Sequence, residues 1–199
     1  MTMHLQPRDT RHLPQTVLMG GSAGSVEALG LILPSLPASF AAAVVIVVHL
    51  PASSPSLLVD IFAPRMALPV TEVHDKVQLS AGHVYFAPPD YHVLVEPEGE
   101  LTLNDDPPVH FCRPAIDLLF ESGADALGKK AVGVLLTGAN HDGAAGMAAL
   151  AAAGAVTIVQ DPADAQVPLM PSCALKATPV DHILPAREIG PALAALVHG

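Results

Sequence analysis

A doubly wound α/β fold, with a mainly parallel Rossmann-like sheet flanked by helices and a small antiparallel hairpin beside it, is predicted by three features. Short Val/Ile-rich runs alternate with Ala/Leu-rich segments, the pattern of βα units on a parallel sheet buried on both faces. A chain of 199 residues, 51% of them apolar, is long enough for one well-buried domain and short for two. No internal repeat, low-complexity tract or long linker divides it. The expected organisation is a polar N-terminal tail over residues 1–15 and a single folded domain over residues 16–199.

The elements follow in order. A strand over Thr16 to Met19 precedes a helix over Val26 to Leu33, and a strand over Val44 to Val48 precedes a helix over Pro55 to Phe62. Between Pro69 and Asp106 the texture changes to short alternating pieces. There, "YHVLVEPEGELTLND" carries a Pro-Glu-Gly-Glu turn between two period-2 stretches, an antiparallel hairpin beside the main sheet. Helical spacing resumes over Pro114 to Ala126, with Pro114 suited to the first turn. Two further βα units place strands over Ala131 to Leu136 and Val156 to Val159, and helices over Ala144 to Ala152 and Pro171 to Ala177.

Composition excludes several classes of function. Nineteen Asp and Glu against nine Lys and Arg give a formal charge of -10 with no basic cluster, so no nucleic-acid partner is expected. The longest apolar run, Ala41 to Val48, is far short of the roughly 20 residues that cross a bilayer. Met1 to Gln15 has no apolar signal core, so a cytoplasmic protein that is not membrane-embedded is expected. The two cysteines, Cys112 and Cys173, lack metal-site spacing and read as reduced, buried thiols. His74, His83 and His92 recur at intervals of nine without an HxxxH or carboxylate set, so neither a metal nor another cofactor is expected.

The stretch "GGSAGSVEAL", Gly20 to Leu29, joins the first strand to the first helix. A dinucleotide fingerprint needs G-x-G-x-x-G and an acid ending the next strand. Here the glycines fall at 20, 21 and 24, and the next strand ends at His49. No Lys-Ser or Lys-Thr follows to make a P-loop. Gly20-Gly21-Ser22-Ala23-Gly24 does fit G-x-S-x-G, a sharp turn that holds a serine outward. The pattern alone also fits an ordinary βα turn.

Partners stand at equivalent places: His49 follows the second strand, and Asp142 lies in "LLTGANHDGAAGM" past the strand Val132 to Leu136. Catalytic groups of parallel sheets gather beyond the strands' carboxyl ends. Ser22, His49 and Asp142 therefore supply a nucleophile, a base and an orienting carboxylate. Each has a plainer alternative: Ser22 as a helix N-cap, His49 as a loop residue before Pro51, and Asp142 as the cap of the Ala144 helix. The order Ser, His, Asp differs from that of the α/β-hydrolases.

The motifs "GGSAGSVEAL", "VVHLPASSPSLL", "GHVYFAPPDYHVLVE", "PPVHFCRPAIDLLFES", "AVGVLLTGANHDGAAGM" and "QDPADAQVPLMPSCAL" together resemble the catalytic domain of the CheB family, the chemotaxis receptor methylesterases. The resemblance spans nearly everything after Gln15 and makes residues 16–199 the methylesterase catalytic domain. It implies hydrolysis of glutamate γ-methyl esters on the cytoplasmic helices of methylated chemotaxis receptors, with glutamine deamidation in many members. The roles it implies are Ser22 as nucleophile, His49 as base and acid, and Asp142 as the carboxylate orienting His49. Backbone N–H groups of Ala23 and of Ala139, where the family commonly has Met, form the implied oxyanion site, and Arg113 contacts acidic receptor residues or pairs within the fold.

The sequence departs from the family in its aspartate loop, "GANHDG" in place of "GMGNDG", which puts His141 in the loop, and in Ala23 where Thr is sometimes found. Fifteen residues before the first strand leave no room for a receiver domain, so the expectation is a stand-alone effector or a portion of a longer protein. Against the enzyme stands one further reading, a catalytically silent receptor-binding module.

Overall fold

The computed structural model describes residues 15–50 and 56–198. The N-terminal tail expected over 1–15, apart from its last residue, and the start of the helix expected at Pro55 lie outside them.

The chain forms β1 (Thr16–Gly21), α1 (Ser25–Ile32), β2 (Ala43–Val48), α2 (Leu58–Phe62), β3 (Val70–Glu72), β4 (Val77–Gln78), β5 (Val84–Phe86), β6 (His92–Val95) and β7 (Glu100–Asn104). It continues through α3 (Ile116–Leu127), β8 (Ala131–Leu135), α4 (Ala144–Ala152), β9 (Val156–Gln160), α5 (Leu169–Ala177), β10 (His182–Leu184) and α6 (Ala186–His198). Seven strands build one sheet in the order β10-β9-β8-β1-β2-β5-β3, and every pair within it is parallel.

The apolar runs that predict the central strands are continuous because both faces are covered. Val17, Met19, Val44, Ile46 and Val48 point into one core with Leu29, Ile32 and Phe62. The intervening Leu18, Val45 and Val47 point into the other with Ile116, Phe120, Met147 and Met170. Successive side chains of a strand face opposite ways, so each central strand contributes to both cores, as a doubly wound sheet requires.

Three features differ from the sequence reading. The segment expected to hold only a hairpin also sends β3 and β5 into the parallel sheet. The hairpin β6–β7 forms around the expected turn and gains β4 as a third antiparallel strand. Pro114 precedes the N-cap Ala115 instead of entering α3, and its bond to Arg113 is cis.

β1 has β2 on one side and β8 on the other, so chain connections run outward in both directions from it. Such a switch point opens a crevice at the carboxyl ends of the strands. Ser22, His49 and Thr137 all follow these three strands.

Candidate active site

Ser22 begins the turn that leaves β1, and its N–H donates to the carbonyl of Thr137 at 2.9 Å. The turn closes with the Ser25 N–H donating to the Ser22 carbonyl at 2.9 Å. Gly24, not Ser22, is the N-cap of α1, with φ 81° and no side-chain cap bond. That left-handed conformation suits glycine and leaves the Ser22 hydroxyl outside the capping role. On the other side, Gly138 lies so close to Ser22 that a Cβ there would stand 3.0 Å from the serine Cβ.

His49 is held by its N–H donating to the Gly21 carbonyl at 3.1 Å. Its side chain is only 11% exposed, and Nε2 lies 2.8 Å from Oδ2 of the fully buried Asp142. Asp142 does not cap α4, whose N-cap is Gly143. It caps α3 instead: Oδ2 accepts from Ile116 N–H at 2.7 Å and Oδ1 from Asp117 N–H at 2.9 Å. Two orphan donors at a helix start, with the dipole behind them, suit a buried carboxylate.

Electrostatics follow from this geometry. Burial alone would raise the Asp142 carboxyl, but the bonds from His49, Ile116 and Asp117 hold it below the usual carboxylate range. For His49 burial is the largest single influence and acts downward. It is outweighed by hydrogen bonds to Asp142 and then Cys112 and by their charges, and the imidazole is carried up to about 9. With Nε2 on the carboxylate, Nδ1 faces Cys112 Sγ at 3.5 Å, and no hydrogen bond joins it to Ser22 among the described residues.

Ala23, which follows Ser22, and Ala139, which follows Gly138, are both exposed, and no hydrogen bond engages either N–H among the described residues. Arg113 is committed within the fold: Nη2 stands 2.6 Å from Asp90 Oδ1, and Nη1 donates to the carbonyls of Asp105 and Asp106. It still borders the apolar hollow next to His49.

Sequence reasoning missed several participants. Thr137 Oγ1 lies 2.9 Å from the Ala23 carbonyl and accepts from Val167 N–H, while Thr137 N–H donates to buried Gln160. This network ties the serine turn to the loop after β9. Asp117 is buried under α4 and accepts from Gly146 N–H at 2.7 Å; burial pushes its carboxyl up. Cys112, like Cys173 only partly buried where burial was expected, places Sγ 3.5 Å from His49 Nδ1 and accepts from Asn140 Nδ2 at 3.3 Å. No sequence spacing joins Cys112 to His49; the contact is purely tertiary.

The histidines at nine-residue intervals go separate ways: His83 meets Thr71 and Tyr85, and buried His92 accepts from Ala115 N–H. Among the described residues, His49, Cys112 and Asp142 have donor atoms within 4.8 Å of one another. Both Asp142 oxygens are already taken by N–H donors, a poor start for a metal. No helix among the described residues is long and apolar enough to cross a membrane.

A family model described as CheB methylesterase matches residues 17–193. A Leptospira interrogans protein is 38% identical over 175 residues, which are 88% of this chain and 91% of that protein. The protein-glutamate methylesterase/protein-glutamine glutaminase of Hydrogenovibrio crunogenus is 42% identical over 190 residues, 92% of this chain and 49% of that protein, so the chain spans about half its length. The crystal structure of the Thermotoga maritima CheB methylesterase catalytic domain matches with a TM-score of 0.88 and 30% identity, covering 92% of this chain and 99% of that one. With the same fold over 92% of its length and a family match over residues 17–193, the chain belongs to the CheB methylesterase family.

Proposed function

We propose that the chain is a protein-glutamate methylesterase, with glutamine deamidation as a second activity. Its substrates are the cytoplasmic helices of methylated chemotaxis receptors, and it acts through Ser22, His49 and Asp142. The observation that carries this reading is the buried 2.8 Å bond between His49 and Asp142, set beside the serine turn at a topological switch point.

His49 Nδ1 takes the Ser22 proton as Oγ attacks the ester carbonyl, while Asp142 stabilises the imidazolium and fixes its orientation. The contact with Cys112 is long, and a thiol is a weak partner, so it yields to a hydroxyl. The oxyanion falls to the unengaged N–H groups of Ala23 and Ala139, a role that needs no particular side chain. His49 then protonates the departing methanol. Water, deprotonated in turn by His49, releases glutamate from Ser22. Ammonia replaces methanol in deamidation.

Methanol release from a methylated receptor, by the wild type and by Ser22→Ala, tests the reading. Release by the wild type and none above background by the variant is expected. Silence of the wild type under conditions that support an active methylesterase leaves the binding-module reading in its place.

A further inference from the structure

Cys112 is presented to His49 by an unusual piece of backbone. Val109 and Cys112 bridge each other, with N–H to carbonyl distances of 2.8 and 3.1 Å. The two residues between them, His110 and Phe111, both have positive φ, 51° and 63°. This is the signature of a type I′ hairpin turn, which ordinarily calls for Asn and Gly. Neither residue is glycine, and strained backbone of this kind collects at functional sites. The turn leaves the Phe111 side chain fully exposed and directs Cys112 back toward the imidazole.

The result is a second nucleophile on the same base. Cys112 Sγ is 3.5 Å from His49 Nδ1, His49 Nε2 is 2.8 Å from Asp142, and Asn140 Nδ2 donates to the sulfur at 3.3 Å. A nucleophile in reach of a base that a third group orients is the arrangement that activates thiols. The thiol opens onto a hollow of about 400 Å³, lined by Leu50, Pro108, Phe111 and Pro114 among others, space for a small reagent. Cys173, in α5, is also partly buried, with no hydrogen bond to its sulfur among the described residues.

We propose that Cys112 is a covalent modification site, captured by small disulfides with the help of His49, and that the adduct blocks the hollow beside His49. In the step, the Cys112 proton passes to His49 Nδ1 and Sγ attacks one sulfur of the disulfide. A Cys112 mixed disulfide forms as the reagent's own S–S bond breaks. The other half leaves as a thiolate and takes the proton from His49, so Cys112 is oxidised and the departing half reduced. The thiol chemistry stands by itself; only its consequence for activity rests on the proposed methylesterase.

The test treats the whole chain with oxidised glutathione and follows each cysteine by peptide mass spectrometry. Capture at Cys112 at least about tenfold faster than at Cys173, and slowed by a similar factor in His49→Gln, is the expected result. Equal rates at the two cysteines of the wild type overturn the proposal, as does an unchanged Cys112 rate in a His49→Gln protein whose Cys173 rate is normal. A His49→Gln protein that has lost its fold will betray itself by rapid capture at Cys173, and the wild-type comparison then decides. Methanol release should fall in step with the adduct and return with dithiothreitol, while whatever activity Cys112→Ala retains resists the reagent. Full modification without loss of methanol release overturns the blocking role. A wild type with no esterase activity leaves the mass measurements to decide the thiol chemistry alone.

Discussion

Asp142→Asn separates the two tasks assigned to this carboxylate. Its oxygens accept from His49 Nε2, Ile116 N–H and Asp117 N–H, and a side-chain amide offers one oxygen and one NH2 group. If the NH2 takes the Oδ1 place it faces the Asp117 N–H; if it takes the Oδ2 place it faces the Ile116 N–H. Either way a buried donor meets a donor, and the charge opposite His49 is gone. Breaking one side of a buried ion pair costs about 3–5 kcal/mol, and chemical denaturation at neutral pH should show a loss in that range.

The loss should depend on pH. The His49 pKa lies at about 9 against 6.5 for a free imidazole, so its contribution is complete below 6.5 and disappears as pH rises through about 9. The Asp142 pKa is lowered from 3.8, so its contribution is complete above 3.8 and disappears as pH falls through the depressed value. The gap between wild type and variant is therefore widest between pH 3.8 and 6.5 and narrows toward 9. Methanol release should drop by roughly 10⁴ in kcat, the size of the same exchange in a serine protease triad. A stability loss below about 1 kcal/mol, the worth of an exposed pair, or one that does not vary between pH 6 and 9, refutes the dual role.

Two other outcomes follow. With the His49 pKa at about 9, only about one hundredth of the imidazole is free to act as base at pH 7. After subtraction of spontaneous ester hydrolysis, kcat/KM should climb steeply from pH 7 and level off near 9; a flat profile speaks against His49 as the base. Arg113→Ala removes a pair whose Asp90 side is half exposed, together with two bonds to loop carbonyls, so urea unfolding should shift by about 1–3 kcal/mol. A receptor-binding role predicts a raised KM at unchanged kcat, and an unchanged KM removes Arg113 from that role.

The parts of the fold legible in the sequence are those with long, continuous signals. β1, β2, β8 and β9 read directly because a strand buried on both faces is an unbroken apolar run. β3 and β5 have three residues each, too few for either period to register, and they read as part of the hairpin next to them. β10 is equally short, and α6 carries Pro191 in its interior, so this last βα unit escaped assignment. The α3 boundary slipped because Pro114 fits a first helical turn equally well in principle, whereas the helix start is set here by the carboxylate of Asp142, 26 residues from Ile116 in sequence.

The site divides along the same line. The candidate positions Ser22, His49 and Asp142 could be picked out because each lies past a strand, where parallel sheets gather their chemistry, and of the three the structure joins His49 to Asp142 by a hydrogen bond. Thr137, Asp117 and Cys112 could not be, since what matters about them is a contact across 114 residues to Ala23, a buried bond to α4 and a contact across 63 residues to His49. Neither propensity nor periodicity carries such information.

The glycine turn shows how contacts of this kind decide between two chemistries that share one backbone plan. A strand, a glycine turn and a helix start also make a phosphate cradle, where N–H groups and the helix dipole meet an anion. In this chain the Gln166 side chain packs against Gly24 at the start of α1, occupying ground that a phosphate would need. The Ser22 N–H is spent on Thr137, and Thr137 in turn holds the Ala23 carbonyl, so the turn is pinned from the β8 side. What remains open is the Ala23 N–H, which the proposed mechanism gives to a charge that exists only in a transition state, not to one that a ligand brings with it.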